Sequence, residues 1–375
     1  MEAGAQFLQA GSWYRPAYYG GKDEFGAAVA REVLAVRYGV GAIDVSTLGG
    51  IAVRGPDAAE FLNRVYTFAY ARQRVGTLRY ALMTSEAGFV IDDGVVCRLD
   101  DHDFYVTTTT GGADRVFRTM LHWNAQWRLD VSLANLTSAY CGLSVAGPRS
   151  REVLADIDSD IDFGREAFPY LGVRRGVVAG VPVIVLRAGF VGELGYEIHA
   201  PQHCGEALWD LIMSAGAGDG SGGIRPVGIE AQRILRLEKG HVLVGQDTDA
   251  LSTPVELNMR WAIAARKPFF VGKRSLKVHD SRPLERVLAG FCIEDTSGAV
   301  PRECHLLVDG QRLIGRVTSA AISPVLEKIV GLAYVPPDRA EPGSRLTIRC
   351  DRQRLVTAHV VQTPFYDPGN ARQEL

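Results

Sequence analysis

Between Ala27 and Tyr38 the apolar residues Val29, Val33 and Val36 recur at helical spacing, and Gly39 and Gly41 end the run, which predicts an early amphipathic helix. Gly50 to Asp57 (GIAVRGPD) reads as a strand, a Gly-Pro turn and a cap, followed by a helix over Ala58 to Val65. The same order returns at Cys141 to Arg149 (CGLSVAGPR), with a helix from Ser150 to Ala155. Two strand-to-helix units of this kind imply related α+β modules and a weak internal repeat. The β-branched and aromatic run Phe104 to Thr110 predicts a strand ending at Gly111-Gly112, then a helix from Arg115 to Trp123. A Gly, Ala, Ser and Asp run from Ser214 to Gly223 predicts a surface loop or boundary, and a helix is expected over Glu230 to Lys239. From about Phe269 the chain is strand-rich. Leu306 to Ile314 predicts a hairpin turning at Asp309-Gly310, since Asp-Gly tolerates positive φ.

The 375 residues exceed one ordinary core, and 47% hydrophobic content is enough to fill two or three. A net charge of −2 argues against nucleic-acid and anionic-membrane partners, which call for concentrated Lys and Arg. There is no apolar run of about 18 residues, and Met1 to Gln6 lacks the pattern of a secretory leader, so a cytoplasmic location is expected. The six cysteines show no C-x-x-C pair and read as buried structural thiols. His199 and His203 have the i, i+4 spacing of a metal pair, but Pro201 interrupts the helix it would need; no metal site is expected. No G-x-G-x-x-G opens a helix after a strand, so neither FAD nor NAD is expected in this chain.

The candidate chemistry lies in Gly88 to Gly94 (GFVIDDG) and Gly192 to Glu197 (GELGYE), each setting carboxylates on a short extended segment bounded by glycine. In an extended segment Asp92 and Asp93 should face opposite ways. With Asp44-Val45-Ser46, the Gly55 to Ala58 turn, Tyr80, Gly228 to Gly240 (GIEAQRILRLEKG), Phe270 to Lys273, Gly315 to Ser319 and Ser323-Pro324, these blocks resemble the aminomethyltransferase (glycine cleavage T-protein) family over nearly the whole chain. Trp13 to Tyr19 and Pro364 to Pro368 look like the tetrahydrofolate-binding C-terminal part of the sarcosine oxidase alpha subunit in particular.

That resemblance implies an α+β, three-domain cloverleaf around a central folate channel, its first two domains interleaved and its third β-rich. The corresponding spans are 1–48 with 137–225, 49–136 with 226–268, and 269–375. It implies that Glu197 accepts the paired N–H donors of a pterin edge, that Asp92 is the catalytic carboxylate beside the reacting nitrogens, and that Tyr80, Phe190 and Trp261 line the ring site. The implied activity is tetrahydrofolate-dependent methylene transfer from an oxidised N-methyl amine, giving 5,10-methylenetetrahydrofolate, with a separate FAD-containing oxidase or dehydrogenase as partner. A folate-dependent demethylase acting on a sulfonium or aryl ether, and a non-catalytic folate-binding or assembly subunit, are the alternatives. Gln232 stands where T-proteins carry an active-site Arg, which puts strict glycine-cleavage activity in doubt. Arg233 is turned about 100° from it, whereas Arg236 shares its helix face and is expected to make structural hydrogen bonds. The K-G-C-Y-x-G-Q signature of the related iron–sulfur repair proteins is replaced by Lys239 to Gln246 (KGHVLVGQ), without cysteine.

Overall fold

The computed structural model describes residues 4–215 and 223–375. Residues 216–222, the centre of the run expected to form a loop or boundary, lie outside the described residues. The first sheet has six strands in the order Val173–Val178, Val181–Leu186, Gly195–Pro201, Tyr140–Ala146, Gly41–Asp44 and Arg225–Val227. Only the last pairing is parallel. The second sheet is antiparallel, in the order Thr77–Thr84, Val90–Asp100, Asp103–Thr108, Gly49–Arg54 and Ser132–Asn135. Thus the first sheet draws its strands from both sides of the segment that forms the second. The chain closes with a six-stranded barrel running from Val287–Ile293 to Leu355–Val361.

Each layer buries its own apolar face. Leu143, Val145, Val185 and Ile198 of the first sheet pack beneath helices Ser150–Ala155 and Gly205–Ala215. Ile51, Val53, Val96 and Val106 of the second pack against helices Ala58–Val65 and Ala113–Trp127. The two Gly-Pro turns are alike in backbone as well as in sequence. Gly55 and Gly147 have φ of +134° and +132°, and at either one a Cβ would lie 2.3 Å from a carbonyl oxygen, of Asp130 and Gly39 respectively. Only glycine fits such a turn.

The early helix spans Phe25–Tyr38, and the helix expected from Glu230 spans Ile229–Glu238. Ile229–Glu238 packs on Phe25–Tyr38 through Ala231 and Leu235, beside the first sheet. Helix Lys273–Asp280 lies against the turn that opens the Val90–Asp100 strand, with Ser275 donating to the Glu86 carbonyl, so the barrel itself begins only at Val287. The strand predicted over 104–110 ends at Thr108, because Thr109 and Gly112 turn to meet a carboxylate. The hairpin between Leu306–Asp309 and Arg312–Ser323 turns at Gly310-Gln311 rather than Asp309-Gly310: Asp309 still pairs with Arg312, and only Gly310 takes positive φ. All six cysteines are free; four are buried, while Cys204 is half-buried and Cys304 exposed, against the expectation of six buried thiols.

Beneath the junction of the three parts lies a largely buried charge cluster. Arg37, from the first helix, is fully buried and bonds Glu193 and Glu238 as well as the carbonyls of Val191 and Leu235. Glu193 also accepts from Tyr366 and Arg372, and Glu238 from Ser323 of the barrel. Arg236 is likewise buried, paired with Asp247 and bonded to Ser319 and the His241 carbonyl. Its expected structural role is what the contacts describe.

Candidate active site

One cavity of about 1820 Å³ opens between the two sheets and the barrel, and Tyr80, Asp92, Asp93, Phe190, Glu197 and Trp261 all line it. Distances of a hundred residues in sequence are bridged because the strand bearing Asp92 and Asp93 belongs to the second sheet and the strand bearing Glu197 to the first.

The Asp-Asp-Gly triplet is a strand interior, not a turn. Gly94 is required there because a Cβ would sit 2.0 Å from the Thr107 carbonyl oxygen of the neighbouring strand. Register then separates the two acids: Asp92 lies opposite Met83, a residue of the helix-side core, and Asp93 opposite Leu82 on the other face. Asp92 is only 2% exposed, and its oxygens take the Thr109 hydroxyl (2.6 Å) and the Thr109 amide (3.2 Å). It packs over the start of helix Ala113–Trp127, where the absence of a side chain at Gly112 makes room for it. Asp93 faces Tyr80 instead, whose hydroxyl donates to Oδ2 at 2.7 Å. The Tyr80 ring in turn lies 5.0 Å from that of Trp261, tilted by 43°. Trp261 is 60% exposed and forms the outer edge of this aromatic wall.

Both acids are hard to ionise. Burial pushes the Asp92 carboxyl up to about 7; the Thr109 hydroxyl opposes the rise and the charge of Asp93 adds to it. Burial also lifts Asp93 to about 6, opposed by the Tyr80 hydroxyl, which favours the anion.

Across the cavity, Glu197 shares a strand face with His199, whose Nε2 is 3.7 Å from its Oε2. The other ring nitrogen of His199 meets the Tyr105 hydroxyl at 3.2 Å, and Nε2 itself is buried without a partner. Phe190 is stacked on His241, with ring centroids 5.7 Å apart and planes 25° apart. The Phe190 carbonyl lies 2.8 Å from His241 Nδ1. A carbonyl only accepts, so Nδ1 carries the proton and Nε2 keeps its lone pair. Burial holds the imidazole down at about 4, with Lys239, Arg236 and Arg37 reinforcing the shift against the Phe190 bond. At neutral pH His241 is therefore a neutral acceptor on the cavity wall.

Gln232 and Arg233 both line the cavity, while Arg236 points into the charge cluster. Helix phase alone grouped Gln232 with Arg236; the packing of Ile229–Glu238 separates them. In sequence His199 stands out only by its spacing from His203, and nothing local marks His241 or Glu193. A Gly-Glu-Leu-Gly-Tyr-Glu run shows two acids, and only the fold reveals that Glu193 is a buried ion-pair partner while Glu197 lines a cavity.

Two interleaved sheets with their helices and a terminal barrel surround one cavity, walled by aromatic rings and rimmed by carboxylates. Residues 1–267 match the GCVT N-terminal domain, and residues 286–367 match the glycine cleavage T-protein C-terminal barrel domain. The chain belongs to the aminomethyltransferase (glycine cleavage T-protein) family, whose members are folate-dependent one-carbon transferases. It is 37% identical to the sarcosine oxidase subunit alpha of Corynebacterium sp. (strain P-1), over 100% of this chain but 39% of that protein. The chain thus spans about two-fifths of the length of this relative. It is 32% identical to the aminomethyltransferase of Halothermothrix orenii, over 97% of each. The solved glycine cleavage system aminomethyltransferase T from Bartonella henselae superimposes with a TM-score of 0.85 at 26% identity, covering 97% of this chain and 95% of that one. Among the described residues no helix is long and apolar enough to cross a membrane.

Proposed function

We propose that this chain passes a methylene unit from an oxidised N-methyl amine to tetrahydrofolate, yielding 5,10-methylenetetrahydrofolate, and that an FAD-containing oxidase or dehydrogenase supplies the oxidised amine. The observation that carries this reading is the convergence of Glu197 with the Tyr80–Asp93 pair on one aromatic-walled cavity. The likeness of the whole of this chain to two-fifths of a sarcosine oxidase alpha subunit supports an N-methyl amine over aminomethyl-lipoamide as donor.

The residues present fit a reduced pterin. Glu197 offers a carboxylate to a paired N–H edge, and the unpartnered His199 Nε2 behind it is placed to steady that carboxylate. Tyr80, Trp261 and Phe190 supply ring faces. Tetrahydrofolate, when bound, supplies two nucleophilic nitrogens for the incoming carbon. Of the two adjacent acids, Asp93 is the better placed to act on them: it faces the Tyr80 side of the cavity, whereas both oxygens of Asp92 are committed to Thr109. We therefore move the catalytic role expected of Asp92 to Asp93, with Asp92 as the buried support of the turn. As an anion, Asp93 stabilises positive charge developing on the donor and can take up the proton released at capture.

Calorimetric titration with tetrahydrofolate, followed by mass analysis of the product formed with a co-purified flavoprotein, tests the proposal. Binding by the wild-type chain and a methylene product are expected. No binding, or a methyl product, overturns it.

A further inference from the structure

Arg15 lies in the strand Trp13–Tyr19, is only 8% exposed, and lines the cavity together with Gln232 and Arg233. Its guanidinium makes no hydrogen bond and no ion pair among the described residues, and its Nε is wholly enclosed without a partner. The Nε of Arg187 and of Arg236 also lacks a partner, but every other buried arginine among the described residues has its terminal nitrogens bonded. Arg37 and Arg236 each hold a buried carboxylate, and Arg187 donates to the carbonyls of Phe168 and Leu375. Near Arg15 the charges are Asp44, which favours its cationic form from a distance, and Arg233, which opposes it. Asp44 is itself occupied by the Ser46 amide at 2.9 Å, and Arg233 is half-exposed and bonds Glu230 through one nitrogen at 2.9 Å.

A guanidinium withdrawn from water without a counter-ion is costly, and a fold keeps one where a ligand supplies the missing charge. Its planar fork of N–H donors matches the two oxygens of a carboxylate. We propose that Arg15, with Arg233 beside it, forms a carboxylate-binding subsite of the cavity. This rests on the folate reading above and adds a recognition element to it. Two molecules in that reading carry the required group: the glutamyl tail of the folate, and the donor if it derives from an N-methyl amino acid rather than a simple N-methyl amine.

The test is calorimetry on the whole chain and on Arg15→Met and Arg15→Lys variants, with three probes. These are 5-formyltetrahydrofolate, 5-formyltetrahydropterin lacking the aminobenzoylglutamate tail, and N-methylglycine compared with dimethylamine in protein saturated with 5-formyltetrahydrofolate. Arg15→Met should weaken one carboxylate probe about tenfold or more while leaving its carboxylate-free counterpart unchanged, and Arg15→Lys should recover part of the loss. A loss confined to 5-formyltetrahydrofolate assigns the subsite to the tail; one confined to N-methylglycine assigns it to the donor. Because the substitution removes a buried unpaired charge, the melting temperature of the ligand-free variant should not fall. Unchanged affinities for every probe, or a lowered melting temperature with unchanged affinities, would overturn the subsite and leave the folate reading standing. Failure of the wild-type chain to bind 5-formyltetrahydrofolate would instead sink the folate reading, and N-methylglycine against dimethylamine, titrated into the ligand-free chain, would then decide the subsite.

Discussion

Tyr80 donates its hydroxyl to Asp93 at 2.7 Å across two paired strands, while the adjacent Asp92 is turned to the opposite face and held by Thr109. Two adjacent carboxylates thereby have different partners, and the proposal gives them different roles. Asp93→Asn should lower the rate of one-carbon transfer by about a hundredfold or more, the scale on which a preorganised charge acts, with tetrahydrofolate affinity changed only a few-fold. Asp92→Asn should act on the turn at Thr109, and so lower stability before it lowers the rate per folded molecule. Steady-state kinetics alongside thermal melts separate the two; equal rate losses in both variants would contradict the assignment.

The pH dependence follows from the same pair. In the proposed role Asp93 acts as an anion, and burial raises both acids, Asp93 to about 6 and Asp92 to about 7, so the rate should fall as pH drops through that range. Neighbouring carboxyls titrate jointly, so the profile reports the pair. Tyr80→Phe removes a donor that favours the Asp93 anion and should move the acid limb to higher pH. The sign for stability is opposite. Between the unfolded value near 4 and the folded values, the native state holds protons that the unfolded chain has lost, so this contribution to stability declines as pH rises through the window.

Glu197→Gln should weaken tetrahydrofolate binding by about 10- to 100-fold, because an amide cannot accept two hydrogen bonds in a fork and loses the charge that strengthens them. Calorimetry reads this directly. An unchanged dissociation constant would show that the pterin edge lies elsewhere.

Much of this architecture is written locally in the sequence. Ala58–Val65 and Ser150–Ala155 follow from Gly-Pro turns and apolar spacing, and they appear with the expected bounds. Barrel closure between Val287–Ile293 and Leu355–Val361 is not legible, because it depends on pairing between strands whose contact leaves no local mark. Resemblance points to the cavity residues, yet the face each of Asp92 and Asp93 takes depends on strand register. A shift of one position exchanges the faces, and no pattern in Asp-Asp-Gly fixes which acid points inward. His241 and Arg15 were missed because their significance lies in the partner each has or lacks.

Arg37→Leu should cost about 3–5 kcal/mol, since it leaves Glu238 a buried charge without its cation and Glu193 with Arg372 alone. Denaturant unfolding should show the loss. The effect should exceed that of replacing an exposed pair such as Arg31 with Glu24, which is worth no more than about 1 kcal/mol.

The interleaving of the two sheets imposes an order of assembly. Residues 49–135 hold every strand of the second sheet and can pair as soon as they leave the ribosome. Gly41–Asp44, made earlier, must wait for Tyr140–Ala146 on one side and Arg225–Val227 on the other. During that interval its edges lack hydrogen-bonding partners, and the cavity, walled from both sheets and the barrel, is completed only after the last barrel strand, ending at Val361, has been made.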